Sequence, residues 1–345
     1  MWVTTTSGPR QAVHGFGPAP LPPARGPLTE ALLLALVSAP GTLRLPAPPA
    51  ADPLADDDEA LTLYLCYELS YKGLEGVDDR WEWEPSLLAA RRELERRFVR
   101  RLRAELAPVP VDPRAVGEAI ASVLAADRAP SVSRYLLEHG GPADFREFAI
   151  HRSAYQLKEA DPHTFAIPRL SGVPKAAMVK IQYEEYGDGR AGEMHANLFA
   201  DTLSELGLTP TYGWYLDRIP GVTLSGVNLI SLFGLHRRWR GALVGHLAAF
   251  EMTSVGPNAR YAAAARRLGF PEAASRFFDV HVDADEEHQG LAAGPLAAGL
   301  TELEPGLADD VVFGARALCL VEGLWSHHAT GAWSRGLSSL RPSAS

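Results

Sequence analysis

The sequence predicts an all-α protein, a helical bundle with a helical extension at its N-terminal side. Apolar residues recur at helical spacing in many segments of the chain. No alternation of apolar and polar residues is long enough to predict a strand. The chain has 345 residues, 46% of them hydrophobic, which is enough for one large domain or two small ones with a substantial core.

Charge and cysteine content narrow the possible partners and the compartment. The net charge is −9 and no basic run occurs, which argues against nucleic acid or an anionic membrane as the main partner. Cys66 and Cys319 each stand in an apolar context, so we expect buried free thiols and no disulfide. No apolar stretch approaches membrane-spanning length, and the N-terminus lacks a signal-peptide pattern. We therefore expect a soluble cytoplasmic protein.

The N-terminal part of the chain divides into two predicted regions. Residues 1–57 are rich in proline and are expected to be flexible, with one short helix at Leu28–Ser38. Residues 58–139 form a predicted helical region that begins with the strongly apolar helix Glu59–Lys72. Such a helix needs a covering surface, which this region or a second copy of the chain could provide. On that ground we predict a homodimer through this region.

Residues 140–340 are predicted to form the main helical bundle. The Gly-Asp-Gly segment at Gly187–Gly189 interrupts a predicted helix. We expect it to kink that helix so that the residues on both sides face inward. The predicted helices of this bundle are Asp144–Glu159, Val173–Tyr186, Glu193–Leu206, Gly221–Leu235, Gly241–Ser254, Tyr261–Leu268, Ala273–Gly290 and Ala308–Trp333.

The segment Ala273–Gly290 carries the most informative pattern in the chain. At 100° per residue, His281, Asp285 and His288 fall within about 60° of one another on one helix face. Two imidazoles and a carboxylate that converge in this way are typical of a metal site. The alternative interpretation is an acidic surface helix with two incidental histidines.

Four residues upstream complete a candidate ligand set. Helical bundles build carboxylate-bridged dimetal sites from Glu, Asp and His on several core helices, and iron suits such a mixed oxygen and nitrogen set. Glu251 lies in an apolar helix, where an unpaired carboxylate would be costly. The neighbouring Glu184 remains an alternative to Glu185. The upstream candidates are Glu159, Glu185, His195 and Glu251.

The segments that carry these residues resemble the heme-oxygenase-like diiron oxidases and oxygenases, the iron-containing redox enzymes. Within that family they are similar to the N-oxygenase domains of N-nitrosourea-forming synthases. The resemblance covers about residues 140–295 and implies a heme-oxygenase-like fold and two Fe²⁺ per chain, with O₂ as cosubstrate. It implies that Glu159, His195 and His288 hold one iron. Glu185, Glu251 and His281 would hold the other, with Asp285 at or between them.

The resemblance implies an O₂-activating oxygenase that oxidises nitrogen of a small amine or guanidine-type substrate in specialised metabolism. An external electron donor is required, because the sequence shows no flavin or nicotinamide fold. One alternative is a diiron oxidase acting on C–H or C–C bonds of an amino or fatty acid. Another, outside enzymes, is a helical metal-binding or interaction protein. Further polar residues are expected to serve packing or the surface, namely His151, His163, His246, Glu322, His327 and His328.

Overall fold

The computed structural model describes residues 13–342, and the regular elements within this range are helical. Outside the helices, Ala19 and Leu74 form one isolated β-bridge within the described range. The all-α prediction is therefore confirmed. Within the described range, no helix combines the length and apolarity needed to cross a membrane. The α-helices are α1 (Pro27–Leu36), α2 (Asp57–Glu68), α3 (Pro85–Glu105), α4 (Val116–Ala126), α5 (Val132–Glu138), α6 (Pro142–Gln156), α7 (Asp161–Thr164), α8 (Gly172–Glu185), α9 (His195–Glu205), α10 (Gly221–Leu235), α11 (Arg240–Arg267), α12 (Arg276–Leu291), α13 (Gly299–Leu303) and α14 (Ala308–Trp333).

The N-terminal segment lies against the body of the protein wherever it is described. The backbone amide of Ala19 donates to the carbonyl of Gly73 at 3.0 Å, and its carbonyl accepts from the amide of Glu75 at 2.8 Å. The predicted flexibility of residues 1–12 concerns a part of the chain outside the described residues. From residue 13 onward, these contacts fix the segment beside α2.

The apolar helix predicted near residue 59 is α2, and it is covered within its own chain. Residues 58–68 are all buried, and α2 packs against α1, α3 and α10. The burial explains why the helix is apolar on nearly every side. The apolar surface on which the dimer prediction was based is thus already buried within the same chain. The homodimer stays a prediction.

Helices α11 and α14 approach each other unusually closely, and this contact fixes the frame of the bundle. A Cβ added at Gly245 would lie 1.7 Å from the carbonyl oxygen of Val311. A Cβ added at Gly314 would lie 2.0 Å from the carbonyl oxygen of Ala242. Only glycine allows the two backbones to come this near, so these two positions set the helix separation.

The sequence predicted two helices where the structure has the single helix α11. The predicted break between residues 254 and 261 is wrong, because α11 continues through Pro257. A proline inside a helix costs about 3 kcal/mol in isolation. Packing of α11 on both α12 and α14 offsets that cost, which local sequence rules do not register.

The segment after Glu185 ends α8 completely and does not merely kink it. Gly187, Asp188 and Gly189 have φ values of 66°, 54° and 76°, all in the left-handed region. Three such residues in succession are incompatible with a right-handed helix. The chain therefore turns, and α9 starts anew at His195, the residue that the sequence expected to face inward with Glu185.

Candidate metal centre

Helix α12 presents three buried side chains to the interior, as its spacing predicted. His281, Asp285 and His288 are 4%, 1% and 0% exposed. The acids on the opposite face, Glu286 and Glu287 among them, are exposed. The alternative of an acidic surface helix with incidental histidines is therefore inconsistent with the structure.

The four upstream candidates converge on the same region from different elements. Glu159 lies in the turn after α6, Glu185 is the last residue of α8, and His195 is the first residue of α9. Glu251 lies near the middle of α11. All four side chains are buried, so every one of these polar groups needs a partner in the interior.

Six of the seven residues form two adjoining groups that share Glu185. In the first group, one nitrogen or carboxylate oxygen from each of Glu159, Glu185, His195 and His281 lies within 4.8 Å of the others. The second group joins Glu185 to Glu251 and His288 within the same limit. A carboxylate common to two groups is the arrangement expected of a bridge between two metal ions.

Short contacts define the interior of the two groups. His195 Nδ1 lies 2.9 Å from Glu185 Oε2, and His281 Nε2 lies 3.5 Å from Glu159 Oε2. His288 Nδ1 lies 3.4 Å from Glu251 Oε2 and 3.5 Å from an Asp285 oxygen. Asp285 belongs to neither group but adjoins the second.

This division differs from the one that the resemblance implied. His281 lies with Glu159 and His195, and His288 lies with Glu251, so the two histidines are exchanged. The two residues are seven positions apart, which is two helical turns along α12. Their grouping depends on where α12 passes α8 and α11, and the sequence spacing does not contain that information.

Unpaired polar atoms test whether these residues suit a metal. Buried nitrogen and oxygen atoms normally have hydrogen-bond partners, and an unpaired one costs about 1–3 kcal/mol. Six of the seven residues carry a buried polar atom with no such partner within the described range. A bound cation would satisfy all of them at once, so the donor set fits a metal. The unpaired atoms are Glu159 Oε2, Glu185 Oε2, His195 Nδ1, His281 Nε2, Asp285 Oδ2 and His288 Nδ1.

Hydrogen bonds on the outer side of two imidazoles fix which nitrogen faces inward. His281 Nδ1 donates to the carbonyl oxygen of Phe277 at 2.8 Å, which leaves Nε2 toward the first group. His288 Nε2 donates to Glu184 at 2.7 Å, which leaves Nδ1 toward the second. Such outer partners set the tautomer and orientation of ligating histidines. Glu184 thus has a place outside the cluster, while Glu185 lies inside it.

Proton affinities in the cluster are strongly shifted. Burial raises the pKa of Glu185 to about 7 and of Glu251 to about 8. Burial acts to lower the pKa of His281 and His288, but neighbouring carboxylates raise them to about 10 and about 11. Without a cation the cluster therefore retains protons, which metal binding would displace.

A cavity of about 240 Å³ reaches the first group from the protein exterior. Glu159 and His281 form part of its wall, and aromatic side chains form much of the rest. Two polar features stand out. Arg152 donates two hydrogen bonds to Glu322 at 3.0 and 2.7 Å, and Gln156 has no hydrogen-bond partner among the described residues for its buried Oε1. The aromatic lining consists of Phe148, Phe199, Phe250, Tyr261, Phe278 and Trp325.

Sequence reasoning did not identify Arg152, Gln156 and Glu322 as cavity residues. Glu322 was expected to serve packing, and the structure instead places it in the cavity wall beside Arg152. The sequence did contain a signal for two of them. Arg152 precedes the candidate ligand Glu159 by two helical turns and Gln156 precedes it by about one turn, so both could lie on the same side as Glu159. The pairing across to α14, in contrast, is a long-range contact that spacing does not reveal.

Comparison with known proteins agrees with the fold and the metal chemistry. None of the curated proteins matches the chain. A crystal structure of a CADD-like protein of unknown function from Nostoc punctiforme superposes with a TM-score of 0.52 at 16% identity, over 64% of this chain and 97% of that one. At this identity the likeness concerns the fold alone, and it is consistent with the expected heme-oxygenase-like bundle. The model of the iron-containing redox enzyme family matches residues 146–323, more than half of the chain and every candidate ligand. The chain belongs to the iron-containing redox enzyme family.

Proposed function

We propose that this chain is a non-heme diiron enzyme that uses O₂ to oxidise nitrogen of a small amine or guanidine-type substrate in specialised metabolism. The observation that carries the diiron part is the pair of ligand groups joined by Glu185. A single metal would need one group, whereas two groups with a shared carboxylate fit two ions.

The seven residues have the chemical character that iron requires. Four carboxylates and three neutral imidazoles form a mixed oxygen and nitrogen set, which suits iron better than the thiolate-rich sites of structural zinc. Glu159, His195 and His281 would hold one iron, Glu251 and His288 the other, and Glu185 both, with Asp285 beside the second. Bound iron supplies the binding and reduction of O₂, with electrons from an external donor.

The cavity supports a nitrogenous substrate through its charges and hydrogen-bonding groups. Among the described lining residues, the guanidinium of Arg152 is already paired with Glu322, so it is not free to bind a fatty-acid carboxylate. The amide of Gln156 lies near Glu159 and has an oxygen free to accept an N–H group. The aromatic wall would hold an apolar body and keep water from the reacting atom.

Product analysis tests the nitrogen assignment. Protein loaded anaerobically with Fe²⁺ would be mixed with ¹⁸O₂, a chemical reductant and a panel of amines, guanidines and matched amino and fatty acids. The proposal predicts ¹⁸O on nitrogen in a product formed from an amine or guanidine. Desaturated or decarboxylated products would instead support the C–H or C–C alternative. Iron uptake without O₂ consumption for any compound would support the non-enzymatic alternative.

A further inference from the structure

We propose that His246 and His163 form a buried relay that carries protons between the protein surface and the metal centre through two water-sized cavities. This inference rests on the proposed function, since it gives the relay a task. The two histidines are 2% exposed each, and neither belongs to the ligand groups. Buried polar groups are costly to desolvate, so the presence of two imidazoles in the interior calls for an explanation.

The inner cavity lies within the candidate metal centre, because five of the seven candidate ligands are among its lining residues. Its volume is about 20 Å³, and a water molecule needs about 10–15 Å³ together with two to four polar partners. His163 and Gln182 line the same cavity as these candidate ligands. The Oε1 of Gln182 is buried and has no hydrogen-bond partner among residues 13–342. A water here would therefore join His163 to the metal centre.

The two histidines join the inner cavity to an outer one. His163 Nε2 lies 3.3 Å from His246 Nδ1, within hydrogen-bonding distance. The second nitrogen of each ring has no hydrogen-bond partner in the described part of the chain, and each ring lines one cavity. Burial lowers the pKa of His246 to about 4 and that of His163 well below its usual range. Both rings are then neutral, each with one donor and one acceptor nitrogen, as proton transfer along a hydrogen-bonded chain requires.

The outer cavity leads to the surface. It measures about 30 Å³ and is lined by polar groups of His246, Thr223, His151 and Glu322, so it also meets the requirements of a water. His151 bonds Thr223 Oγ1 at 2.8 Å through one nitrogen and Ser339 Oγ at 2.9 Å through the other.

The series of hydrogen-bonded groups ends at a carboxylate beside the solvent. Ser339 Oγ donates to Glu147 at 2.7 Å, and Glu147 is partly exposed. With one water in each cavity, polar groups are then continuous from Glu147 to the candidate iron ligands.

Proton delivery meets a requirement of the proposed reaction. When one oxygen atom of O₂ enters the substrate and the other leaves as water, two electrons and two protons are consumed. The external donor supplies the electrons. A proton arriving at one ring nitrogen of His246 releases another from the second nitrogen, which leaves the ring neutral in its other tautomer, and a return of the proton positions before the next transfer restores the first.

A glycine in the wall of the outer cavity permits a test that leaves every histidine in place. Gly226 lies in α10, and a Cβ added there would contact only Glu322 Oε1, at 3.6 Å. Gly226→Ala would therefore fit and displace water, and alanine is the better helix former. Gly331→Ala in α14 is the matched control, because a Cβ there meets open space. His246→Phe removes the relay group itself.

The first readout is hydrogen exchange in the zinc-loaded protein, which is redox-silent. In ¹⁵N-histidine-labelled protein, exchange of the His163 ring proton with bulk water is measured by NMR. We expect Gly226→Ala and His246→Phe to slow it by about tenfold or more, with no change in Gly331→Ala. Equal exchange rates in all four proteins would overturn the relay.

The second readout is turnover of the iron-loaded enzyme. Here we expect Gly226→Ala to slow O₂-dependent oxidation and to enlarge the solvent deuterium isotope effect, while Gly331→Ala resembles the wild type. An unchanged rate and isotope effect in Gly226→Ala would also count against the relay. If no protein oxidises any substrate with O₂, the proposed function fails, and the exchange measurement still decides whether the proton path exists.

Discussion

His288 Nε2 lies 2.7 Å from Glu184 Oε2, and this contact aims the other imidazole nitrogen at the metal centre. Glu184 also pairs with Lys180 on the outer side of α8, so its carboxylate is held from two directions. The adjacent Glu185 points into the cluster. Two consecutive glutamates thus have different surroundings, because Glu184 contacts the outer nitrogen of a histidine and Glu185 belongs to both ligand groups.

Removal of the Glu184 carboxylate should weaken metal binding and leave the helix content unchanged. Loss of an outer partner of a ligating histidine typically lowers metal affinity by about 10–100-fold. We expect this loss in Glu184→Ala, measured by anaerobic titration with Fe²⁺. Glu287→Ala is the control, because Glu287 is exposed and also lies near Lys180. Equal affinities in the two variants would show that Glu184 does not orient His288.

Substitution of the two α12 histidines should separate the two metal positions. His281 groups with Glu159 and His195, so we expect His281→Ala to lose the metal on the side of the substrate cavity. His288→Ala should lose the metal beside Glu251. Iron content and the Mössbauer spectrum of each variant, loaded anaerobically, measure which environment remains. Two variants with the same residual spectrum would contradict this division.

The close approach of α11 and α14 predicts a large stability effect at one glycine. Because a Cβ at Gly314 would overlap the carbonyl of Ala242, Gly314→Ala should lower the free energy of unfolding by about 2 kcal/mol or more. Gly331→Ala on the same helix has open space and should raise it by roughly 0.5–1 kcal/mol. Urea denaturation of the metal-free protein measures both. A stable Gly314→Ala would mean that the two helices are farther apart.

The buried histidines predict a loss of stability in acid. Burial holds the pKa of His246 at about 4 and that of His151 well below its usual value. At these histidines the unfolded chain therefore binds protons that the folded protein does not, so their contribution to stability falls as the pH drops below about 6.5. The raised pKa values of Glu185 and Glu251 contribute with the opposite sign. Each such histidine contributes about 1.4 kcal/mol per pH unit between its unfolded and folded pKa values.

Urea denaturation of the metal-free protein between pH 7 and pH 5 measures this dependence. Relative to the wild type, His246→Phe should lose less stability, or gain more, as the pH falls below about 6.5, whereas replacement of the exposed His327 by alanine should leave the profile unchanged. Identical pH profiles in His246→Phe and the wild type would show that His246 does not stay neutral in the folded protein.

Local patterns predicted the elements of the site better than their mutual arrangement. The spacing of His281, Asp285 and His288 indicated one face of one helix, and α12 buries all three. Glu251 stood out because a carboxylate in an apolar helix needs a partner. These inferences depend only on helical periodicity and on the cost of burying charge.

What the sequence missed depends on contacts between distant segments. Which group holds His281 and which holds His288 follows from the path of α12 past α8 and α11. The continuity of α11 through Pro257 likewise depends on packing against its neighbours. The cavity pair of Arg152 and Glu322 joins α6 to α14 across 170 positions, far beyond the reach of periodicity.

The central claim is a two-metal centre bridged by Glu185, and anaerobic titration with Fe²⁺ followed by Mössbauer spectroscopy tests it most directly. The account predicts about two irons per chain and, after exposure to O₂, the diamagnetic signature of two coupled ferric ions. Glu185→Ala should abolish the coupling, because both ligand groups share that carboxylate. Binding of one iron per chain, or of two that show no magnetic coupling, would contradict the account.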